Sequence, residues 1–211
     1  RNVRKNMADK LSIVRMIGSS AHSAEDRESD DFYATDPVAL DKLLACLERD
    51  RVSLHTNIWE CACGDGSLSK RLSEHRYRVF PTDFVQRVNA SVKLIDFCDE
   101  PWMHLDKDYW NGDILTNPPY KHASKFVENS LKCLPENHLS IMFLRLQFLE
   151  SKSRLELFKK CPPRFIYVHS SRVSTRKNND PKYAKRSSAV CFAWFVWQKG
   201  FSGEPTIRWI P

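Results

Sequence analysis

The chain has 211 residues, of which 42% are hydrophobic, enough to bury the core of one α/β domain. No apolar run reaches the ~18 residues of a membrane-spanning helix, residues 1–10 lack the apolar core of a secretion signal, and the seven cysteines form no CxxC pair and no zinc-spaced cluster with histidine. A formal net charge of +7 favours a polyanionic partner, and the expectation is a soluble, cytoplasmic protein with reduced thiols and no metal.

Residues 1–31 carry a basic head, a short apolar patch at Leu11–Ile17 and the polar run GSSAHSAEDRESDD, and read as a flexible leader. In FYATDP, Asp36 precedes Pro37 as an N-cap precedes a first-turn proline. Leu40, Leu43, Leu44 and Leu47 then recur at helical spacing. Thr35 and Asp36 thereby place polar groups at a helix N-terminus, a natural seat for a carboxylate. An apolar strand over Ile58–Cys63 runs into Gly64, Asp65 and Gly66 and a helix bearing Leu68 and Leu72, the strand, glycine turn and helix of a nucleotide-binding unit. Glu60 lies on that strand, and a second strand, Tyr77–Thr82, ends in Asp83, positioned to take ribose hydroxyls. KLIDFCD supplies a further acidic turn with Asp96 and Asp99.

DILTNPPY, residues 113–120, is a short apolar strand that stops at an amide, two prolines and a ring. A residue before proline is driven out of the helical region, and both Asn117 and Pro118 precede one. The loop is therefore stiff, with the Asn117 side-chain oxygen and the Pro118 carbonyl as candidate acceptors beside the face of Tyr120. Two acceptors and a ring complement a planar NH2 group. A helix over Ala123–Leu134, a strand over 140–149, a helix to Lys160 and a strand over 164–170 continue the β/α alternation. The final strand, AVCFAWFVWQKG, follows without an intervening helix, so the sheet is mostly parallel with one reversed strand. Before it, residues 171–187 hold Arg172, Arg176, Lys177, Lys182, Lys185 and Arg186 against Asp180, a candidate phosphate-binding loop.

With a glycine turn, two acidic turns and NPPY in that order, the sequence from Asp31 onward resembles the S-adenosylmethionine-dependent amino-methyltransferases, and among them the DNA adenine N6-methyltransferases. LRLQFLE, AWFVWQKG and TIRWI resemble the small enzymes of bacteriophages and prophages. The resemblance implies a Rossmann-like seven-stranded sheet with one antiparallel strand and helices on both faces; residues 32–211 read as a single methyltransferase domain that departs from larger relatives of the family in having no separate target-recognition domain. It implies S-adenosylmethionine bound through FYATDP (Tyr33, Thr35, Asp36), ECACGDG (Glu60, Cys61, Gly64, Gly66), Asp83 at the ribose, Asp96 at the adenine, and Asn117. It implies catalysis by Asn117, Pro118, Pro119 and Tyr120 on an adenine flipped out of double-stranded DNA. RNA, a protein glutamine, or nucleic-acid binding without catalysis stay open as alternatives.

Overall fold

The computed structural model describes residues 33–85, 92–99, 110–173, 175–177 and 190–211. In chain order these form strand β1 (Tyr33–Thr35), helix α1 (Pro37–Arg49), β2 (Asn57–Glu60), α2 (Ser67–Glu74), β3 (Arg78–Asp83), β4 (Lys93–Leu94) and β5 (Asp113–Thr116). There follow α3 (Ala123–Cys133), β6 (Leu139–Arg145), α4 (Leu155–Lys160), β7 (Phe165–His169), β8 (Thr175–Lys177), β9 (Phe192–Gln198) and β10 (Thr206–Ile210). The leader, residues 1–31, lies outside the described residues, as do Lys182, Lys185 and Arg186.

The main sheet has the order β10-β7-β9-β6-β5-β2-β3-β4, and β9 alone runs antiparallel to its neighbours. Alternation along the strands divides the core. Ile58, Leu115, Ile141, Phe143, Tyr167 and Trp194 face one side, under Leu40, Leu43 and Leu47 of α1 and Leu68 and Leu72 of α2. Trp59, Ile114, Met142, Leu144, Ile166 and Phe195 face the other, under Phe126, Val127 and Leu131 of α3 and Leu157 of α4. Helices thus cover both faces, as strands apolar on both sides require. Trp59, Tyr167, Trp194 and Trp197 are fully buried; truncating such a ring to alanine costs about 3–5 kcal/mol.

The expected single reversed strand is present, but the sheet has eight strands rather than seven. TIRWI adds β10 parallel to β7, Thr206 beside Phe165 and Ile210 beside His169. The strand expected over 140–149 ends at Arg145, where a 3-10 turn, Leu146–Leu149, takes over. The Arg154 guanidinium holds that turn closed, donating to the carbonyls of Phe148, Gln147 and Glu150 at 2.7–3.1 Å. The strand expected to reach Cys63 stops at Glu60, where the glycine turn begins. Among the described residues, no helix is long and apolar enough to cross a membrane.

From β2 the chain moves outward through β3 to β4, then returns to β5 on the other side of β2. This reversal opens a crevice beyond the carboxyl ends of β2 and β5, where α/β sheets bind ligands. The opposite ends of the strands are tied down. Asp113, buried at the start of β5, accepts from the backbone N–H groups of His55 at 2.7 Å and Leu139 at 2.8 Å.

Candidate active site

The acidic and glycine residues singled out in the sequence meet at the β2, β3 and β4 side of that crevice. Gly64 and Gly66 have φ of +55° and +78°, a backbone region that glycine enters without strain. A Cβ on Gly66 would meet nothing within 4 Å, so its glycine serves the turn's conformation rather than relieving a clash. Asp83 braces this turn: one carboxylate oxygen accepts from Gly64 N–H at 2.8 Å, and the other from Val85 N–H at 2.9 Å. The expected ribose-binding carboxylate therefore also carries a structural load, using lone pairs that leave each oxygen one further acceptor position. Glu60 is 1% exposed and accepts from Ser69 Oγ of α2. Burial pushes its carboxyl well above the usual range, opposed by the Ser69 bond and reinforced by Asp65 and Asp83. Asp96 follows β4, exposed, its Oδ1 accepting from Cys98 N–H at 2.8 Å.

Cys61, assigned from sequence to the cofactor loop, turns its thiol into the core beneath α3, 1% exposed, and burial raises its pKa well above the ordinary value, so its side chain packs in the core. Cys63 is buried as well, its thiol pushed up to about 12. At the start of α1, Asp36 is the expected N-cap, its Oδ1 accepting from Val38 N–H at 3.0 Å.

NPPY stands at the end of β5. Pro118 is buried, Pro119 opens a 3-10 turn over Tyr120–His122, and His122 N–H closes it onto the Pro119 carbonyl at 2.8 Å. The Asn117 amide nitrogen donates to Thr35 Oγ1 at 2.9 Å, and Thr35 is 5% exposed. This bond sets the amide's orientation: the nitrogen end belongs to Thr35, and the oxygen is the acceptor end. Thr35, assigned from sequence to the cofactor, thus reaches the amide of the NPPY loop. The ring of Tyr120 lies 6.0 Å from that of Phe192, and the Arg145 guanidinium carbon sits 4.6 Å over its centroid.

The base of the basic loop is brought to the same place. β1 and β8 form a two-stranded antiparallel ladder that sets Tyr33 beside Lys177, Ala34 beside Arg176 and Thr35 beside Thr175. Arg176 and Lys177 thus lie one strand from the segment that holds Asn117, and Arg172 precedes them, exposed, after β7.

Three features escaped the sequence reading. Phe84, next to Asp83, is a large apolar ring left 66% exposed at the carboxyl edge. Its signal was its place directly after a strand-end acid. Arg145 was one cation closing an apolar run, and the β1–β8 ladder joins segments about 140 residues apart, for which no local pattern exists. Among the described residues, no three His, Cys, Asp or Glu side chains gather as a metal site.

No family model matches this chain, and no curated protein matches it in sequence. Solved structures do match in fold. The methyltransferase subunit of a type I restriction-modification system from Streptococcus thermophilus superposes with a TM-score of 0.55 at 17% identity, over 85% of this chain and 47% of the subunit. The type IIG restriction endonuclease BpuSI gives 0.56 at 14% identity, over 85% of this chain and 27% of the enzyme. An S-adenosylmethionine-dependent methyltransferase from Anabaena variabilis gives 0.51 at 12% identity, over 82% and 89%. This chain spans less than half the length of the first two. The eight-stranded, mostly parallel sheet with one reversed strand is a Rossmann-like methyltransferase fold.

Proposed function

We propose that residues 32–211 act as a methyltransferase domain that transfers the methyl group of S-adenosylmethionine to the exocyclic N6 of adenine in DNA. The observation that carries this reading is Asn117, oriented by Thr35 on a proline-stiffened loop at the reversal point of the sheet. The residues on the β2–β4 side suit the cofactor: an open glycine turn, Asp83 with acceptor capacity for ribose hydroxyls, and the exposed ring of Phe84 as a surface for adenine. When bound, S-adenosylmethionine supplies a methyl group on a positively charged sulfur. The chain's own residues do the rest. The N6 lone pair is delocalised into the ring and is a poor nucleophile. Acceptors at Asn117 Oδ1 and the Pro118 carbonyl take its two N–H bonds, favouring tetrahedral nitrogen as positive charge develops. In a duplex the base must leave the helix, which costs a few kcal/mol, and stacking on Tyr120 offsets part of that. The segment beginning with Arg172, Arg176 and Lys177 contacts phosphates.

The test is transfer of labelled methyl groups from S-adenosylmethionine to DNA. The wild type labels DNA, and Asn117→Ala lowers turnover by ~100-fold or more while calorimetry shows cofactor binding retained. Near wild-type turnover in that variant contradicts the assignment.

A further inference from the structure

β1 and β8 stand apart from the main sheet as a two-stranded sheet of their own, three residues to each strand. A ladder of two short strands is marginal by itself in water, so its population responds to whatever binds either strand. β1 reaches the site through its last residue. Thr35 is buried, and its Oγ1 accepts from the Asn117 amide at 2.9 Å. On its carboxyl side Thr35 runs directly into the capped start of α1, where Asp36 Oδ1 accepts from Val38 N–H. On its amino side the backbone is set by the ladder, Ala34 beside Arg176 and Thr35 beside Thr175. The hydroxyl that orients Asn117 is therefore held between a helix cap and a short strand pair.

The partner strand belongs to the basic run. β8 carries Arg176 and Lys177 in its sequence, Arg172 precedes it, exposed, and Val173 anchors its approach in the same core cluster as Leu40 and Leu43 of α1. The strand that reads as the base of the phosphate-binding segment is thus the strand that pairs with β1. A phosphate contact on β8 and the orientation of the Asn117 amide meet in one ladder. Binding energy from parts of the acceptor remote from the reacting nitrogen then serves to fix a catalytic group. An acceptor too short to reach β8 loses kcat in such an arrangement, and not only KM.

Resting on the reading above, we infer that β8 couples acceptor binding to catalysis: nucleic acid bound at the basic segment closes the β1–β8 ladder, which fixes Thr35 and through it the Asn117 amide. The experiment measures kcat and KM on two single-stranded DNA acceptors, an adenine-centred trinucleotide and an oligonucleotide longer than ~16 nucleotides. Single strands remove the cost of base extrusion from the comparison. Wild type turns over the long acceptor with a kcat about tenfold above that of the trinucleotide, the scale of one hydrogen bond. Thr35→Val removes the link, so kcat on the long acceptor falls to the trinucleotide level and the two agree within about twofold. Thr175→Gly weakens β8 and lowers kcat on the long acceptor by about threefold. Affinity for S-adenosylmethionine, read by calorimetry, stays within about twofold in both variants and reports that they are folded. The Thr35→Val comparison stands whether or not Thr175→Gly folds. Equal kcat on the two acceptors in wild type, or a tenfold ratio that survives Thr35→Val, overturns the inference and leaves the methyltransferase reading standing. A wild type that labels neither acceptor overturns both.

Discussion

The β2–β4 end of the carboxyl edge and the β5–β9 end hold their shape by different means. On the first, carboxylates are tied to main chain: Asp83 to Gly64 and Val85, Asp96 to Cys98, Asp65 to Ser67. Such bonds make a cradle whose form depends on few side-chain rotamers. On the second, side chains hold one another: Thr35 holds the Asn117 amide, and the Tyr120 ring packs against both Phe192 and Arg145. A cradle of backbone bonds suits a ligand that is always the same. A set of interlocked side chains suits a site where orientation of one amide and one ring decides the chemistry.

If the two halves are separable, their variants have different signatures. Apart from Asn117→Ala on the second half, the largest effect is expected on the first half. Asp83→Ala leaves Gly64 N–H without its charged acceptor, costing about 1.5–3 kcal/mol of stability. It weakens S-adenosylmethionine binding by at least ~30-fold, read by thermal melting and calorimetry, with KM for the acceptor unchanged. On the second half, Thr35→Val releases the Asn117 amide. The expected result is a loss of about tenfold in kcat, of the order of one hydrogen bond, with cofactor affinity within about twofold. A Thr35→Val variant that loses cofactor binding and turnover together would merge the halves. Phe84→Ala removes the exposed ring and weakens cofactor binding by about fivefold, the scale of one stacking contact, without changing kcat.

The pH-dependent effect concerns Glu60. Its carboxyl is raised in the folded protein, so the folded state binds more protons than the unfolded one between the ordinary carboxylate range and the raised value. Stability contributed by the protonated form is therefore present at low pH and lost as pH rises through that window, with a slope of at most ~1.4 kcal/mol per pH unit. Glu60→Gln removes this slope, and melting curves between about pH 5 and pH 8 should show the variant overtaking the wild type as pH rises. Parallel curves for the two proteins would mean that Glu60 does not titrate as its burial implies.

Much of the sheet was legible because strands buried on both faces are written as continuous apolar runs, as in IMFL and FAWFVW, and the Asp36-Pro37 start of α1 is local chemistry. TIRWI was harder. It exposes Ile207 and Trp209 at a sheet edge and buries Ile210, so its alternation does not mark a core strand. The end of β6 at Arg145 was hidden because LQFL continues the apolar pattern, and the turn is enforced by Arg154 from farther along the chain. At the site, residue types that act locally were readable, such as the prolines of NPPY and the glycines of the turn. The Asn117 bond to Thr35 spans 82 residues, and the embrace of Gly64 by Asp83 spans 19. Contacts of this range arise from topology, and local spacing does not encode them. The burial of the Cys61 thiol follows the same rule, since an apolar position just past a strand looks alike in sequence whether it faces crevice or core.

The central claim is that the oriented amide of Asn117 captures the N6 amine of adenine in DNA. The direct measurement is to incubate the protein with isotopically labelled S-adenosylmethionine and an adenine-containing DNA duplex, digest the product to nucleosides, and locate the label by mass spectrometry. The account predicts label in N6-methyldeoxyadenosine, reduced ~100-fold or more with Asn117→Ala; label in another nucleoside, or transfer to RNA or protein but not to DNA, would contradict it.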